Sequence, residues 1–128
     1  MKSYTDIEQS KRLAEILPLE SADMWYSYYG NSKYNPTINY KGGQWFLCQI
    51  RNSSHSDIPC WSLAALLDVL SEKSHSIDED GAVDLSSYKN IEWNCGLINT
   101  ADLEASISLN PIDACVEMIM KLNELKLL

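Results

Sequence analysis

Two segments in the first half of the chain repeat apolar residues three or four positions apart, the spacing of an α-helix. Residues 6–17 follow this spacing, and Thr5 with Glu8 has the arrangement of a capping box at their start. Residues 61–70 carry a stripe of leucines, and Pro59 lies where a helix tolerates proline, close to its first turn. The pattern predicts a helix over each segment.

The C-terminal segment predicts a third helix. Asn110 is a favourable cap, and Pro111 fits the first helical turn. One face is apolar and is formed by Ile112, Cys115, Val116, Ile119 and Leu122. The apolar surface extends beyond that face through Met118, Met120, Leu125, Leu127 and Leu128. Such a helix is either deeply embedded or offers a face to a partner, which can be a second copy of the chain in a homodimer.

Four further segments have the composition or the period of β-strands. Residues 23–29 and 44–51 are rich in aromatic side chains, which favour strands, whereas 91–97 and 105–109 alternate apolar with other residues. Residues 71–87 are acidic and rich in serine, which is typical of a surface connection. We predict an α+β fold, in which an antiparallel sheet of three to four strands packs with three helices in the order α-β-β-α-β-β-α.

Aromatic residues are concentrated in one part of the chain. Eight of the twelve lie between Trp25 and Phe46, where two predicted strands flank a long loop. Core packing is favoured for one face of the strands, while the other face stays open to a surface role. Tyr29, Tyr34 and Tyr40 are our candidates for contact with a partner, and the two loop tyrosines are the better ones.

Length and charge exclude several classes of protein. With 128 residues and 45% hydrophobic content, the chain suits a single globular domain over residues 1–128. The net charge is −8, and residues 68–104 alone hold nine acidic residues against two lysines. No basic stripe is present, so we expect neither direct nucleic-acid binding nor binding to an anionic membrane. The N-terminus lacks the apolar core of a signal peptide, which indicates a cytoplasmic protein.

Catalytic and metal-binding motifs are weakly represented. Cys60 is the best nucleophile candidate, because a thiol at a helix N-terminus can have a lowered pKa and His55 or His75 could supply a base. The alternative is a buried structural cysteine, which the surrounding apolar sequence favours. The four cysteines stand 12, 35 and 20 residues apart, without the close pair of a zinc site. We expect reduced thiols, no metal and no cofactor.

Three blocks of sequence resemble a known group of proteins. They are residues 16–24, the run Pro-Cys-Trp-Ser-Leu-Ala-Ala-Leu-Leu at 59–67, and residues 110–128, which begin Asn-Pro-Ile-Asp-Ala-Cys-Val-Glu-Met-Ile. Together they are similar to small uncharacterised proteins of gut anaerobes that are often carried in prophages and other mobile elements. The resemblance covers about half the chain and implies a cytoplasmic, phage-related accessory protein. No activity is established for the group, so the resemblance assigns no functional residue.

These observations leave three hypotheses about function. The first is a small non-catalytic protein that binds an unidentified protein partner through Tyr29, Tyr34 and Tyr40 or through the C-terminal leucines Leu125, Leu127 and Leu128. The second is a thiol-dependent activity at Cys60. The third is an inhibitor whose acidic stretch, residues 68–104, imitates the phosphates of a nucleic acid.

Overall fold

A computed structural model describes residues 2–29, 44–48, 57–89, 91–99 and 103–128 of the chain. In these residues the helices are α1 (Ile7–Ala14), α2 (Leu63–Ile77) and α3 (Pro111–Glu124), with a short 3₁₀ turn at Leu19–Ser21. The strands are β1 (Met24–Tyr29), β2 (Gln44–Cys48), β3 (Ile58–Cys60), β4 (Val83–Tyr88), β5 (Glu92–Leu97) and β6 (Ser106–Ser108). The predicted α+β class is confirmed.

The strands form two antiparallel sheets of three strands each within the described residues, where the sequence predicted one sheet of three to four. The first sheet has the order β2-β1-β3, and the second has the order β4-β5-β6. β3 escaped prediction because Pro59 suggested a helix start, although an edge strand also accepts proline. β4 was hidden in the predicted surface connection, because only two of its six residues, Val83 and Leu85, are aliphatic. The other four are polar or aromatic.

The helix boundaries also differ from those that the sequence predicted. The N-cap of α1 is Asp6, which forms the capping box with Gln9, so the predicted box of Thr5 and Glu8 is wrong. Thr5 instead lies in the interior. Helix α2 begins after its cap Ser62 and continues seven residues past the predicted end at Leu70. The cap and first-turn proline predicted for α3 are confirmed.

One hydrophobic core joins the three helices to the inner face of the second sheet. The five residues predicted for the buried face of α3 are all buried, and Trp61 is the largest fully buried side chain. Cys95 and Leu97 of β5 complete the contact with α3 from the sheet side. Among the described helices, none has both the length and the apolar character that crossing a membrane requires.

Candidate protein-binding surface

Strand β6 presents its apolar side chains to solvent and its polar ones to the core. Ser106 is only 2% exposed, and its hydroxyl donates a hydrogen bond to the carbonyl oxygen of Ala114 in α3. Ile107 is 58% exposed, and Leu109, just after the strand, is 77% exposed. In β5 the apolar residues Cys95 and Leu97 point inward as alternation would suggest. β6 is therefore inverted with respect to the usual burial pattern of an amphipathic strand.

The strand register shows which residues share the outer face with Ile107. Directly opposite residues of antiparallel strands point to the same face. Ile107 pairs with Asn94, and Asn94 pairs with Ser86 in β4. Two residues along the sheet, Tyr88 pairs with Glu92. Trp93 of β5 pairs with Ser108 of β6. Continuing this register by one residue places Leu109 opposite Glu92, so Leu109 lies at the same end of the sheet as Tyr88.

Two more exposed apolar side chains lie at that end, in and beside the turn between β4 and β5. Tyr88, the last residue of β4, and Ile91, in the turn, are each 62% exposed. We call Tyr88, Ile107 and Leu109, which share the outer face by the register, together with Ile91 of the adjoining turn, the outer-face patch. Scattered single apolar residues are normal on a protein surface, whereas a group on one face indicates an interaction site.

Charged groups accompany the outer-face patch. Glu92, which pairs with Tyr88, is exposed on the same face of the sheet, and Asp84 is exposed on that face at the opposite end, where it pairs with Gly96. The ammonium group of Lys89 lies 5.4 Å from the centre of the Tyr88 ring, a cation–π contact. Lys121 of α3 donates to the carbonyl oxygens of Glu104 and Ala105, which holds the segment leading into β6 against the helix. The patch is thus fixed on a sheet that a helix supports from behind.

Sequence reasoning identified the alternation in residues 105–109 but not the surface that it creates. Alternation shows that a strand has two different faces, and it does not show which face meets the core. The polar Ser106 between apolar neighbours is what the core accepts here, because α3 offers it a carbonyl oxygen. The available signal was the small size of Ser106 compared with Ile107, which suits a strand packed closely on a helix.

The C-terminal leucines that the sequence singled out do not form one continuous exposed group. Leu125 and Leu127 are exposed, whereas Leu128 is half-buried and packs against the core. Helix α3 itself is embedded, since Met118 is fully buried and Met120 packs against the core. A binding role for these leucines remains a prediction. Only Leu125 and Leu127 are exposed enough to contact a partner.

The predicted aromatic candidates fall in different places. Tyr34 and Tyr40 lie outside the described residues. Tyr29 ends β1, where its backbone pairs with Gln44 of β2. Of the aromatic residues before it, Tyr26 is buried, and its hydroxyl donates to the carbonyl oxygen of Thr5 at 2.7 Å. Ser27, on the opposite face of β1, is also buried, so this part of the strand is covered on both sides.

Cys60 is held in a buried polar cluster around Thr5. It ends β3, two residues before the cap of α2, and is fully buried. The Thr5 hydroxyl lies 3.6 Å from the Cys60 sulfur, and the thiol donates to the Thr5 carbonyl oxygen at 3.5 Å. Burial raises the pKa of Cys60, which favours the neutral thiol over the nucleophilic thiolate. These contacts favour the structural interpretation of Cys60.

The other candidates for chemistry are not assembled into a site in the part of the chain that the structure describes. No group of three or more metal-ligating side chains occurs there. His75 is exposed at the end of α2, with Nδ1 3.3 Å from the carbonyl oxygen of Glu79, and His55 lies outside the described residues. Cys95 and Cys115 are neighbours in the core, where their mutual hydrogen bond and burial raise the pKa of Cys115.

The N-terminal segment is tied to the start of α3 by a charged network. The ammonium group of Lys2 donates to Asp113 at 2.8 Å, to Gln9 at 2.6 Å and to Asp6 at 3.1 Å. Gln9 also donates to Asp113 at 2.7 Å. Partial burial alone would raise the pKa of Asp113, but the hydrogen bonds from Lys2, Gln9 and Asn110 lower it below its ordinary value. The network fixes α1 against α3.

A groove of about 460 Å³ runs between α1 and α3 beside this network. Its charged side chains include both signs, and Val116 and Met120 contribute apolar lining. The residues that line it are Gln9, Arg12, Asp113, Val116, Glu117, Met120, Lys121 and Glu124. Because two cationic and three anionic side chains line the groove, it offers a ligand no single sign of charge, and we give preference to the outer-face patch.

The described acidic residues of 68–104 are distributed over several elements. Asp68 and Glu72 are exposed on α2, Glu79 and Asp80 on the turn that follows, and Glu92 on β5. Each has the environment of a solvated side chain.

Comparisons of the chain with protein-family models, with curated proteins and with solved structures give no match.

Proposed function

We propose that this protein is a small, non-catalytic, cytoplasmic interaction protein, and that the outer-face patch is the surface by which it binds a protein partner. The inverted strand β6 carries the proposal, since it exposes Ile107 and Leu109 while it buries Ser106. An exposed apolar group on a rigid sheet is a place where association gains hydrophobic free energy without first ordering a loop. The similarity to mobile-element proteins supports the further proposal that the partner is encoded by a phage-like element.

The raised pKa of Cys60 and its full burial also support a non-catalytic role. A thiol-dependent enzyme needs an accessible thiolate next to a base. The number of exposed apolar side chains also gives the patch an advantage over the C-terminal leucines. The C-terminal leucines offer two exposed side chains, against four in the patch.

The test is a pull-down of the tagged protein from the lysate of its native cells, with quantitative mass spectrometry. The patch variant is Ile107→Thr with Leu109→Gln, which removes apolar surface and leaves the inward residues of β6 unchanged. Two matched double variants address the other predicted surfaces, namely Leu125→Gln with Leu127→Gln, and Tyr34→Ala with Tyr40→Ala. We expect a near-stoichiometric partner that is lost from the patch variant and retained by both others.

Two results would contradict the proposal. A partner that the patch variant retains, and that one of the other variants loses, moves the binding site to the C-terminal leucines or to the tyrosine loop. The absence of any partner above background, for the unchanged protein, argues against an interaction function as a whole. Far-UV circular dichroism and urea unfolding of each variant show that a loss of binding is not a loss of fold.

A further inference from the structure

We propose that Cys95 of β5 and Cys115 of α3 are a redox-sensitive pair, which a small disulfide such as oxidised glutathione converts into a Cys95–Cys115 disulfide within the folded protein. Both are free thiols in the structure. Neither belongs to the outer-face patch, so the pair is independent of the proposed function. The close approach of strand and helix, the contact between the two thiols and the placement of the other cysteines support it.

Small residues bring β5 close to α3 at the level of Cys95. Ser106 is directly opposite Cys95 in the sheet and is 2% exposed. Its hydroxyl lies 3.4 Å from the carbonyl oxygen of Cys95 and within hydrogen-bond distance of that of Ala114 in α3. One hydroxyl group therefore spans the gap between the strand backbone and the helix backbone, next to Cys115. A disulfide needs such an approach, because the Cα atoms that it joins lie about 4.4–6.8 Å apart.

The two thiols meet in the core behind the second sheet. Both are fully buried and belong to the same hydrophobic cluster. A hydrogen bond joins them and lowers the pKa of Cys95, although burial opposes this effect. The thiolate is the form that attacks a disulfide, so the neighbouring S–H group favours Cys95 as the attacking residue and leaves Cys115 as the resolving one.

The reaction exchanges one disulfide for another and needs no further reactant. Local opening of the core admits oxidised glutathione, and the Cys95 thiol gives its proton to water. Its thiolate attacks the glutathione disulfide, so that a mixed disulfide forms and one glutathione leaves and takes up a proton. Cys115 then loses its proton, attacks the Cys95 sulfur and releases the second glutathione. Two protein thiols are oxidised to one disulfide, and the glutathione disulfide is reduced to two thiols.

The other two cysteines lie too far apart to form a bridge with each other. Cys48 of β2 pairs with Trp25 of β1. Cys60 of β3 pairs with Met24 of β1. The two cysteines are therefore two strands apart, about 10 Å, and point to opposite faces of the first sheet, because Met24 and Trp25 are consecutive. A disulfide does not span this separation, so oxidation of the folded protein should form a single bridge.

The disulfide should make the protein more resistant to unfolding. It closes a loop, residues 95–115, that holds the end of β5, all of β6 and the start of α3. The crosslink fastens the central strand of the second sheet to the helix behind it. It also lowers the entropy of the unfolded chain, so the oxidised protein should unfold at a urea concentration about 1 M or more above that of the reduced protein.

The test is equilibration of the full-length protein with reduced and oxidised glutathione in set ratios, starting from both reduced and oxidised protein. The remaining thiols are blocked with N-ethylmaleimide in denaturant, and intact mass spectrometry counts them. A protease that cuts after glutamate separates the two cysteines at Glu104, so a pair of linked peptides identifies the disulfide. We expect Cys95–Cys115 to be the predominant disulfide and Cys48 and Cys60 to carry the blocking reagent.

The unfolded chain is the matched reference, since there the same two cysteines pair without help from the fold. The equilibrium constant for the Cys95–Cys115 disulfide should be at least about tenfold larger in native buffer than in concentrated urea, because the native fold holds the two thiols together. Cys60→Ala should keep the disulfide. Cys115→Ala should lose it and leave only a glutathione adduct on Cys95.

Three results would overturn the redox pair. The first is native protein that stays reduced in a glutathione buffer that oxidises the unfolded chain. The second is an equilibrium constant in native buffer no larger than that in urea, which shows that the fold does not accommodate the bond. The third is a native disulfide that contains Cys48 or Cys60. All three are measured on the unchanged protein, so a variant that fails to fold does not affect them.

Discussion

Replacement of Leu109 by glutamine tests the inverted strand without any partner, because its effect on stability depends on which way the side chain points. Full burial of a leucine or isoleucine side chain is worth about 1.5–3 kcal/mol. With 77% of Leu109 exposed, only about a quarter of that value is at stake, so Leu109→Gln should cost about 0.3–0.7 kcal/mol. Ile107 is 58% exposed, so Ile107→Thr should lower the free energy of unfolding by about 0.6–1.3 kcal/mol.

The matched control is a leucine of similar size in the core. Leu122 of α3 is fully buried, and Leu122→Ala should cost about 2–5 kcal/mol because it removes buried atoms and leaves a cavity. Threonine at position 107 keeps a β-branched side chain, so strand propensity is preserved and the measured change reports burial. The loss of unfolding free energy is therefore expected to be several-fold larger at the core position than at the outer positions.

Urea unfolding followed by tryptophan fluorescence and by far-UV circular dichroism measures these values. The comparison requires that both probes give one transition and that the slope of free energy against urea stays equal among variants. A cost of about 2 kcal/mol or more for Leu109→Gln, similar to a core truncation, would show that Leu109 is buried. That result would refute the outward orientation of β6 and remove the observation on which the proposed function rests.

Three further predictions concern Thr5, Asp113 and Cys60. Thr5→Val should cost about 1–3 kcal/mol in urea unfolding, because the buried hydroxyl that contacts Ser10 at 2.8 Å is lost, while Thr5→Ser should retain most of the stability. The pKa of Asp113 is lowered in the fold, so its contribution to the free energy of unfolding should be complete above the unfolded pKa of about 3.9 and be lost as the pH decreases through the folded pKa. Urea unfolding measured from pH 6 to pH 2 should show this loss of stability. Asp113→Asn cannot ionise beside Lys2, so its stability should depend less on pH over this range. Cys60 should resist iodoacetamide in the folded protein and react after unfolding, and rapid modification of the native protein, located by mass spectrometry, would support the thiol hypothesis instead.

Much of the helical structure could be predicted because its signals are local. Asn110 caps α3 by accepting a hydrogen bond from the backbone of Asp113, and the predicted apolar face of that helix is the buried one. Capping and 3.6-residue periodicity depend on residues within two turns of each other, so a single segment contains the information. The cap of α1 was predicted wrongly, because the fold places Thr5 in the interior and Asp6 caps the helix instead.

The strands and the candidate site were less predictable, because their signals are not local. β3 is three residues long and contains Pro59, and it becomes a strand only through pairing with β1, which lies more than 30 residues earlier. Strand propensity is a preference for a half-buried, paired surface, and the sequence of one strand does not contain its partner. The same limit applied to Trp61 and Ser62, which the apolar pattern assigned to a helix and which precede the first residue of α2.

The sequence by itself determined the α+β class, the three helices, the net charge of −8 and the lack of the cysteine spacing of a zinc site. Only the tertiary structure decided the direction of β6. Alternation with a period of two fixes that Ser106 and Ile107 point to opposite faces, and it is equally compatible with either orientation. Packing against α3 selects the orientation, because the carbonyl oxygen of Ala114 satisfies the Ser106 hydroxyl, and Ile107 and Leu109 are left on the outer surface.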